Sequence, residues 1–348
     1  MLDLYLKPFL VAFGISLIFI LAIKYFFDKF YSVNGKVRFE DRHIHNKKIS
    51  RWGGVAIAIS FLSVILLDGN LVITRDIVGI LLGSVIIFFA GLWDDFREMN
   101  WKAQLFFQII AIGLVFVFGA RIDYFSNPWG GIVYLNAQMG LLIGIGLGTL
   151  WSVILINAMN WIDGIDGLSG GIYFIGAMTL FYLALKPEVN QPPIAIMALG
   201  LAGVILGFLF FNFPPAKIMA GSSGIFFVGF LLSSLSIFAG TKIATTLLVL
   251  FIPMVDFFWV IAKRLRQKKS IFSPDREHLQ HKLLNIGWLQ WQINLFFYLI
   301  TALVAVIALN VRGIEKTILI VFLFSAMLIF YNFIARKEKN LTPNAISK

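Results

Sequence analysis

The chain has 348 residues, 59% of them apolar and only 14% charged, with a mean hydropathy of +0.87, which excludes soluble usage and indicates a polytopic membrane protein. There is no cysteine, so disulfides and thiolate metal sites are excluded. A net charge of +11 raises nucleic acid as a partner, but Lys and Arg collect on one side of the expected spans, so no nucleic-acid partner is expected.

In chain order, the first apolar run covers 8–27, about long enough to cross a bilayer. Its positive flank follows it, at Lys24, Lys29, Lys36 and Arg38. A secretory signal carries its charge before a shorter core, so this run reads as a retained anchor with the N-terminus outside. Further runs lie at 53–67, 77–92, 103–120, 138–156, 170–185, 193–211, 224–240, 243–262, 292–311 and 316–335. The expectation is an all-α membrane protein of about eleven transmembrane helices, a single domain over 1–348, with a cytoplasmic tail at 336–348.

Loops then alternate between two sides. Those expected to be cytoplasmic (28–52, 93–102, 157–169, 212–223 and 263–291), with Lys24 and the tail, hold 22 of the 29 Lys and Arg. Every polar cluster falls on that side too. The longest external loop, 121–136, reads as a small hairpin around 128–131. A transporter would continue a polar path to the outer face and show matching broken helices in two halves; this chain shows neither pattern. Gly140, Gly144, Gly146 and Gly148 lack the preceding strand and following acid of a nucleotide-binding loop, so close helix packing accounts for them better.

The stretch 157–168, NAMNWIDGIDGL, sets two Asn and two Asp beside an apolar span. Ionisable groups near membrane depth are costly and usually line a cavity, a substrate path or a metal site. Gly164 and Gly167 weaken a regular helix here. Asp163 and Asp166 share a face only if the turn is helical; if the backbone bends they could still converge on one cation. The plainer alternative is a polar loop whose carboxylates cap the next helix near Ser169.

In GLWDDF, Asp94 and Asp95 end a span, and neighbours on a helix point in different directions, so they are given different jobs. Arg42, His45, Lys47, Lys48 and Arg51 precede Gly53 and Gly54. Lys47 and Lys48 suit headgroup anchoring, whereas His45 and Arg51 suit a phosphate, Arg through its planar fork. In SPDREHLQHKLL, His278 and His281 fall three apart, on one helix face, after Pro274 and Asp275 that could start the helix. Asp256 could pair with Lys263 or reach the interface.

Taken together, GLWDDF, NAMNWIDGIDGLSGG, FNFPPAKIMAGSSG and SPDREHLQH, in that order on one side of the spans, resemble the polyprenyl-phosphate N-acetylhexosamine-1-phosphate transferases, glycosyltransferase family 4. The similarity runs from Arg38 to His281. It implies transfer of a sugar-1-phosphate from a UDP-sugar to polyprenyl phosphate with release of UMP, Mg2+ or Mn2+ as cofactor, a plasma-membrane location with the site on the cytoplasmic side, and leaves room for a homodimer. RHIHNKKISRWGG and DREHLQH resemble the branch using UDP-N-acetylglucosamine to start teichoic acid, O-antigen or other envelope glycans more than the muramyl-pentapeptide branch.

The resemblance implies that Asp94 and Asp95 match paired aspartates near the metal and lipid phosphate. It likewise implies that Asn157, Asn160, Asp163 and Asp166 belong to the set shaping the nucleotide and metal site, with Lys217 at the substrate and His278 and His281 near the donor diphosphate. Asp256 matches another acidic position of the family. Two positions depart from the pattern. Ser222 follows Gly221 where the family has a metal-binding Asp, and a neutral hydroxyl is a poor ligand for a hard cation. Gln280 stands where the histidine loop usually has another His. The first departure leaves three readings open: an altered site that relies on the remaining carboxylates, a paralogue without turnover, or a substituted sequence.

Overall fold

The computed structural model describes residues 2–34, 49–122, 124–127, 131–135, 137–238, 243–271 and 277–341. Its elements are α1 (Leu2–Asn34), α2 (Gly53–Leu67), α3 (Arg75–Phe96), α4 (Trp101–Val117), β1 (Tyr124–Ser126), β2 (Ile132–Tyr134), α5 (Ala137–Ile162), α6 (Leu168–Ala184) and α7 (Pro192–Asn212). They continue as α8 (Gly221–Phe238), α9 (Ile243–Val249), α10 (Phe251–Arg266), α11 (Leu279–Asn285), α12 (Gln290–Asn310) and α13 (Ile314–Leu341). The protein is an all-α polytopic membrane protein carrying one short hairpin, with Tyr124 opposite Tyr134 and Ser126 opposite Ile132.

The expected count of eleven spans is corrected. Among the described residues seven helices are long and apolar enough to cross a membrane, or eight if α9 and α10, bent by 80° at their junction, form one span. Three of the expected runs form helices too short to span, and a fourth is bent at a break. The run at 53–67 ends at Asp68, before a turn closed by the Asn70 N–H donating to Asp68 Oδ1. The run at 170–185 belongs to a helix that starts only after Gly167, at φ 79°. At 15, 17 and 17 residues, α2, α4 and α6 rise only about 22–26 Å, short of a hydrocarbon core of about 30 Å. Within 243–262, Pro253 has no N–H to give to the carbonyl of Val249, and the helix breaks there.

α8 is the element the others surround, and every residue from Gly221 to Ile237 is buried. It packs against α3, α5 and α2, while α7 packs against α1 and α6. Lipid tails are as apolar as a protein core, so such helices associate through close packing, which small residues permit. At Gly91 on α3 any Cβ would lie 2.5 Å from Ser223 Cα, so α3 runs almost in backbone contact with the start of α8. The glycine-rich run 140–148 is helical, and Gly144 and Gly148 face Ile122 and Phe116.

Residues 50–54 lie parallel to 218–220. Met219 N donates to Ser50 O (2.8 Å), Gly53 N to Met219 O (3.0 Å) and Gly54 N to Ala220 O (2.8 Å). The first N–H groups of α2, which a helix cannot satisfy internally, thereby find carbonyls. This pairing also sets Arg51 beside the start of α8.

Candidate active site

Two clusters of polar side chains meet where α3, α5 and α8 end or begin. In the first, Asp95 caps α8 from another helix: Oδ1 accepts Ser222 N (2.8 Å), while Oδ2 accepts Ser223 N (3.0 Å) and Ser223 Oγ (2.7 Å). A carboxylate at a helix N-terminus takes up donors the helix leaves open and meets the favourable end of its dipole. Gly221, at φ 66°, permits the approach, because a Cβ there would lie 2.6 Å from Asp95 Oδ2. Asp94 points elsewhere: Oδ2 accepts Ser222 Oγ (2.6 Å), and Oδ1 accepts Met99 N (2.9 Å) and Gln104 Nε2 (3.1 Å). Ser222 thus acts as a hydrogen donor toward Asp94.

The second cluster is the turn between α5 and α6, residues 163–167, where the backbone bends and is not helical. Asp163 and Asp166 therefore do not share a helix face, and the N-cap of α6 is Gly167. Asp166 Oδ2 instead accepts Ala216 N (3.0 Å) from the loop before α8. Asp163 Oδ1 accepts Ser169 Oγ. Burial pushes the Asp163 carboxyl up to about 6; the Ser169 hydrogen bond and the Arg51 charge oppose the rise, and the charges of Asp166 and Asp95 add to it. These couplings place Arg51, Asp95, Asp163 and Asp166 within one electrostatic neighbourhood.

The histidine helix α11 closes onto this turn. Gln280, fully buried, donates through Nε2 to Trp161 O (3.1 Å) at the end of α5. His281 lies against the turn; a Cβ on Gly164 would come within 2.8 Å of its Nε2. The two histidines do not lie on one helix face. His278 is the N-cap, the helix starts at Leu279, and the rings stand 6.5 Å apart. The expected start signals, Pro274 and Asp275, lie outside the described residues.

Asp256 does not pair with Lys263. Buried on α10, it accepts Leu279 N (2.9 Å), meets His278 Nδ1 (2.6 Å) and accepts the hydroxyl of Tyr331 from α13. Lys263 pairs with Glu277, which also meets Lys282 at 2.9 Å. Lys282 reaches Glu338 on α13 at 3.0 Å. Burial works against the Glu277 charge, but hydrogen bonds from Lys263 and Lys282, with their charges, hold its carboxyl below the ordinary range.

The sequence profile of glycosyl transferase family 4 matches residues 77–240. A Bacillus subtilis (strain 168) protein described as a probable undecaprenyl-phosphate N-acetylglucosaminyl 1-phosphate transferase is 32% identical over 346 residues, covering 96% of this chain and 93% of the relative. The chain belongs to the polyprenyl-phosphate N-acetylhexosamine-1-phosphate transferase family. Other transferases of this kind are similar to it. A decaprenyl-phosphate N-acetylglucosaminephosphotransferase from Mycobacterium leprae (strain TN) is 31% identical, over 76% of this chain and 74% of its own. A phospho-N-acetylmuramoyl-pentapeptide-transferase from Petrotoga mobilis (strain DSM 10674 / SJ95) is 28% identical, over 79% and 88%.

Of the other residues singled out in this transferase, Asn157 donates to Gln108 Oε1 (2.9 Å) on α4 and to Val153 O (2.7 Å). Asn160 is half-buried on the last turn of α5, and Lys217 is exposed in the loop before α8. His45 lies outside the described residues. Sequence reasoning misses Asn212, which accepts Gly167 N (3.0 Å), and Asn294 and Tyr298 on α12, which bind the carbonyls of Asp166 and Gly167. The available signal is a polar pair four residues apart inside an apolar span.

The family's transferases imply a divalent cation. Among the described residues no group of three or more His, Asp or Glu side chains could hold a metal ion. Both oxygens of Asp95 accept protein donors, and Ser222 gives its proton to Asp94. Asp163, whose proton affinity burial has raised, is a place where added positive charge would be stabilising. This donor set fits a cation that arrives with a phosphate ligand and takes one or two protein carboxylates, as Mg2+ commonly does, and not a preformed carboxylate cage.

Proposed function

We propose that the protein transfers N-acetylglucosamine-1-phosphate from UDP-N-acetylglucosamine to undecaprenyl phosphate on the cytoplasmic side of the plasma membrane, giving the diphosphate-linked sugar and UMP as the first membrane step of envelope glycan assembly. The observation that carries this reading is the turn that bears Asp163 and Asp166, with His281 against its Gly164 and the charge of Arg51 acting on Asp163, in a chain 32% identical over nearly its whole length to a relative described by that activity. The excess of Lys and Arg in the loops around the site favours its cytoplasmic placement.

A phosphate monoester carries about −1.5 to −2 charge at neutral pH, so the lipid phosphate needs no strong base to attack. Its oxygen forms a bond to the sugar-side phosphorus of the donor while the bond to UMP breaks. The problem is to bring two anions together. Arg51, exposed, offers a fork for phosphate oxygens. His281 lies against the turn where the diphosphate would sit, and Asp94, an acceptor only, would orient a lipid phosphate that still carries a proton by accepting that proton. Asp95 fixes the start of α8. Asp163, aided by Asp166, would hold Mg2+ or Mn2+, which when bound supplies Lewis-acid charge at the phosphate oxygens. A single displacement predicts inversion at phosphorus with a chiral thiophosphate donor.

A second reading rests on Ser222: with its hydroxyl donating to Asp94 in place of a carboxylate ligand, the chain could bind lipid or nucleotide without turnover. UMP release from UDP-N-acetylglucosamine and undecaprenyl phosphate separates the two, measured for the native chain and for Ser222→Asp. Turnover in both forms supports an altered but working site, and turnover only in the variant supports an impaired one. No product in either form contradicts the transfer reading.

A further inference from the structure

The polar turn 163–167 is gripped by side chains the transfer mechanism does not use. Gly167 N donates to Asn212 Oδ1 (3.0 Å), and Asn212 Nδ2 in turn donates to Ile218 O (2.9 Å) in the loop before α8. On the other side, Asn294 Nδ2 donates to Asp166 O (2.7 Å), and the Tyr298 hydroxyl donates to Gly167 O. Asn294 is fully buried and Tyr298 half-buried, one helical turn apart on α12. The Tyr298 ring leaves no room on α6: a Cβ on Gly171 would lie 2.0 Å from its Cζ. Asp166 O thus takes from α12 a partner that a regular helix would have supplied itself, and Gly167 O, which already accepts Gly171 N (3.1 Å), takes Tyr298 as a second donor.

An amide and a phenol inside an apolar span are costly unless they are used. Here their donors meet consecutive carbonyls of the segment that carries Asp163 and Asp166. α12 also lies outside residues 77–240, which the family profile matches. We propose that α12 is a positioning element of the active site, with Asn294 and Tyr298 fixing the backbone on which Asp163 and Asp166 are displayed. This rests on the transfer reading above. A displacement of about 1 Å in such a segment can cost a factor of about a hundred in rate without altering the groups that bind substrate.

The test uses Tyr298→Phe, which keeps the ring against Gly171 and removes only the hydroxyl, and Asn294→Leu, which removes the amide at similar volume. Hydrogen exchange over 163–171 reads the turn directly. Steady-state UMP release, in whichever of the native or Ser222→Asp backgrounds turns over, reads the function. Exchange should rise about tenfold or more in that segment. kcat should fall about tenfold with KM for UDP-N-acetylglucosamine within about threefold of the parent, because a residue that acts through the turn alters the reacting geometry more than ground-state binding. Unchanged exchange in both variants would overturn the latch. Raised exchange with unchanged kcat would reduce it to packing and overturn the positioning role. Raised exchange with no turnover in either background would sink the transfer reading, and the positioning role with it.

Discussion

Asp95 and Asp163 are the same residue type in one electrostatic neighbourhood, yet the fold supplies them with donors to different degrees. Asp95 is matched donor for donor by two backbone N–H groups and a hydroxyl at the start of α8. Asp163 is given the Ser169 hydroxyl and the charge of Arg51 against burial and two neighbouring carboxylates, and its carboxyl rises to about 6. The first arrangement holds a helix in place. The second leaves a site that binds a proton or another cation more tightly than an ordinary carboxylate would. One member of an acid pair near a membrane surface can therefore be scaffold.

The largest expected effect comes from blurring that division. Ser222→Asp sets a new carboxylate against Asp94, where a donor now stands, so the variant should unfold at a lower temperature without divalent ions. Mn2+ should restore it, by about 2.7 kcal/mol at a hundred times the dissociation constant, and leave the native chain much less affected. Equal Mn2+ stabilisation of both forms would mean that the native corner already holds the ion. Next, Arg51→Ala should raise KM for the UDP-sugar about tenfold to a hundredfold, since it removes a phosphate fork, and should also push the Asp163 carboxyl higher. An unchanged KM would remove Arg51 from the substrate.

A smaller effect is expected from pH. Because Asp163 binds its proton more tightly folded than unfolded, stability falls as pH rises from about 4 to about 6 and is flat above that. Cation binding runs the other way, weakening below pH 6 as the carboxyl protonates. Asp163→Asn should abolish both slopes, and a thermal melt series from pH 4.5 to 8 reads them. If the slopes persist in Asp163→Asn, another group is titrating.

Much of this was open to reading in the chain itself. Composition alone points to the membrane, and the Asn/Asp stretch and the paired aspartates stand out because polar groups are expensive there. The span count was less readable. Runs of 15 to 18 apolar residues count as spans in the sequence although the helices they form are too short to cross, and the run 243–262 passes over the Pro253 break. The partners of Asp256 come from 22 and 75 residues away, at the N-cap of α11 and on α13, and no local pattern announces them. Lys263, the near neighbour that spacing favours, is taken by Glu277. The direction of the Ser222 hydroxyl is likewise a tertiary fact, fixed by how closely Gly91 lets α3 approach α8. Gln280, a departure by sequence, becomes the bond that docks the histidine helix on the end of α5.

The division between the two aspartates is tested most directly by measuring Asp95→Asn and Asp163→Asn side by side, for melting temperature at pH 8 and for UMP release in the background that turns over. Asp95→Asn should lose about 1–3 kcal/mol of stability, as a buried acceptor of several bonds is weakened. Asp163→Asn should be as stable as its parent or more so, with turnover reduced by about a thousandfold. Asp163→Asn that melts early while still turning over, beside an Asp95→Asn that is stable but inactive, would contradict the account.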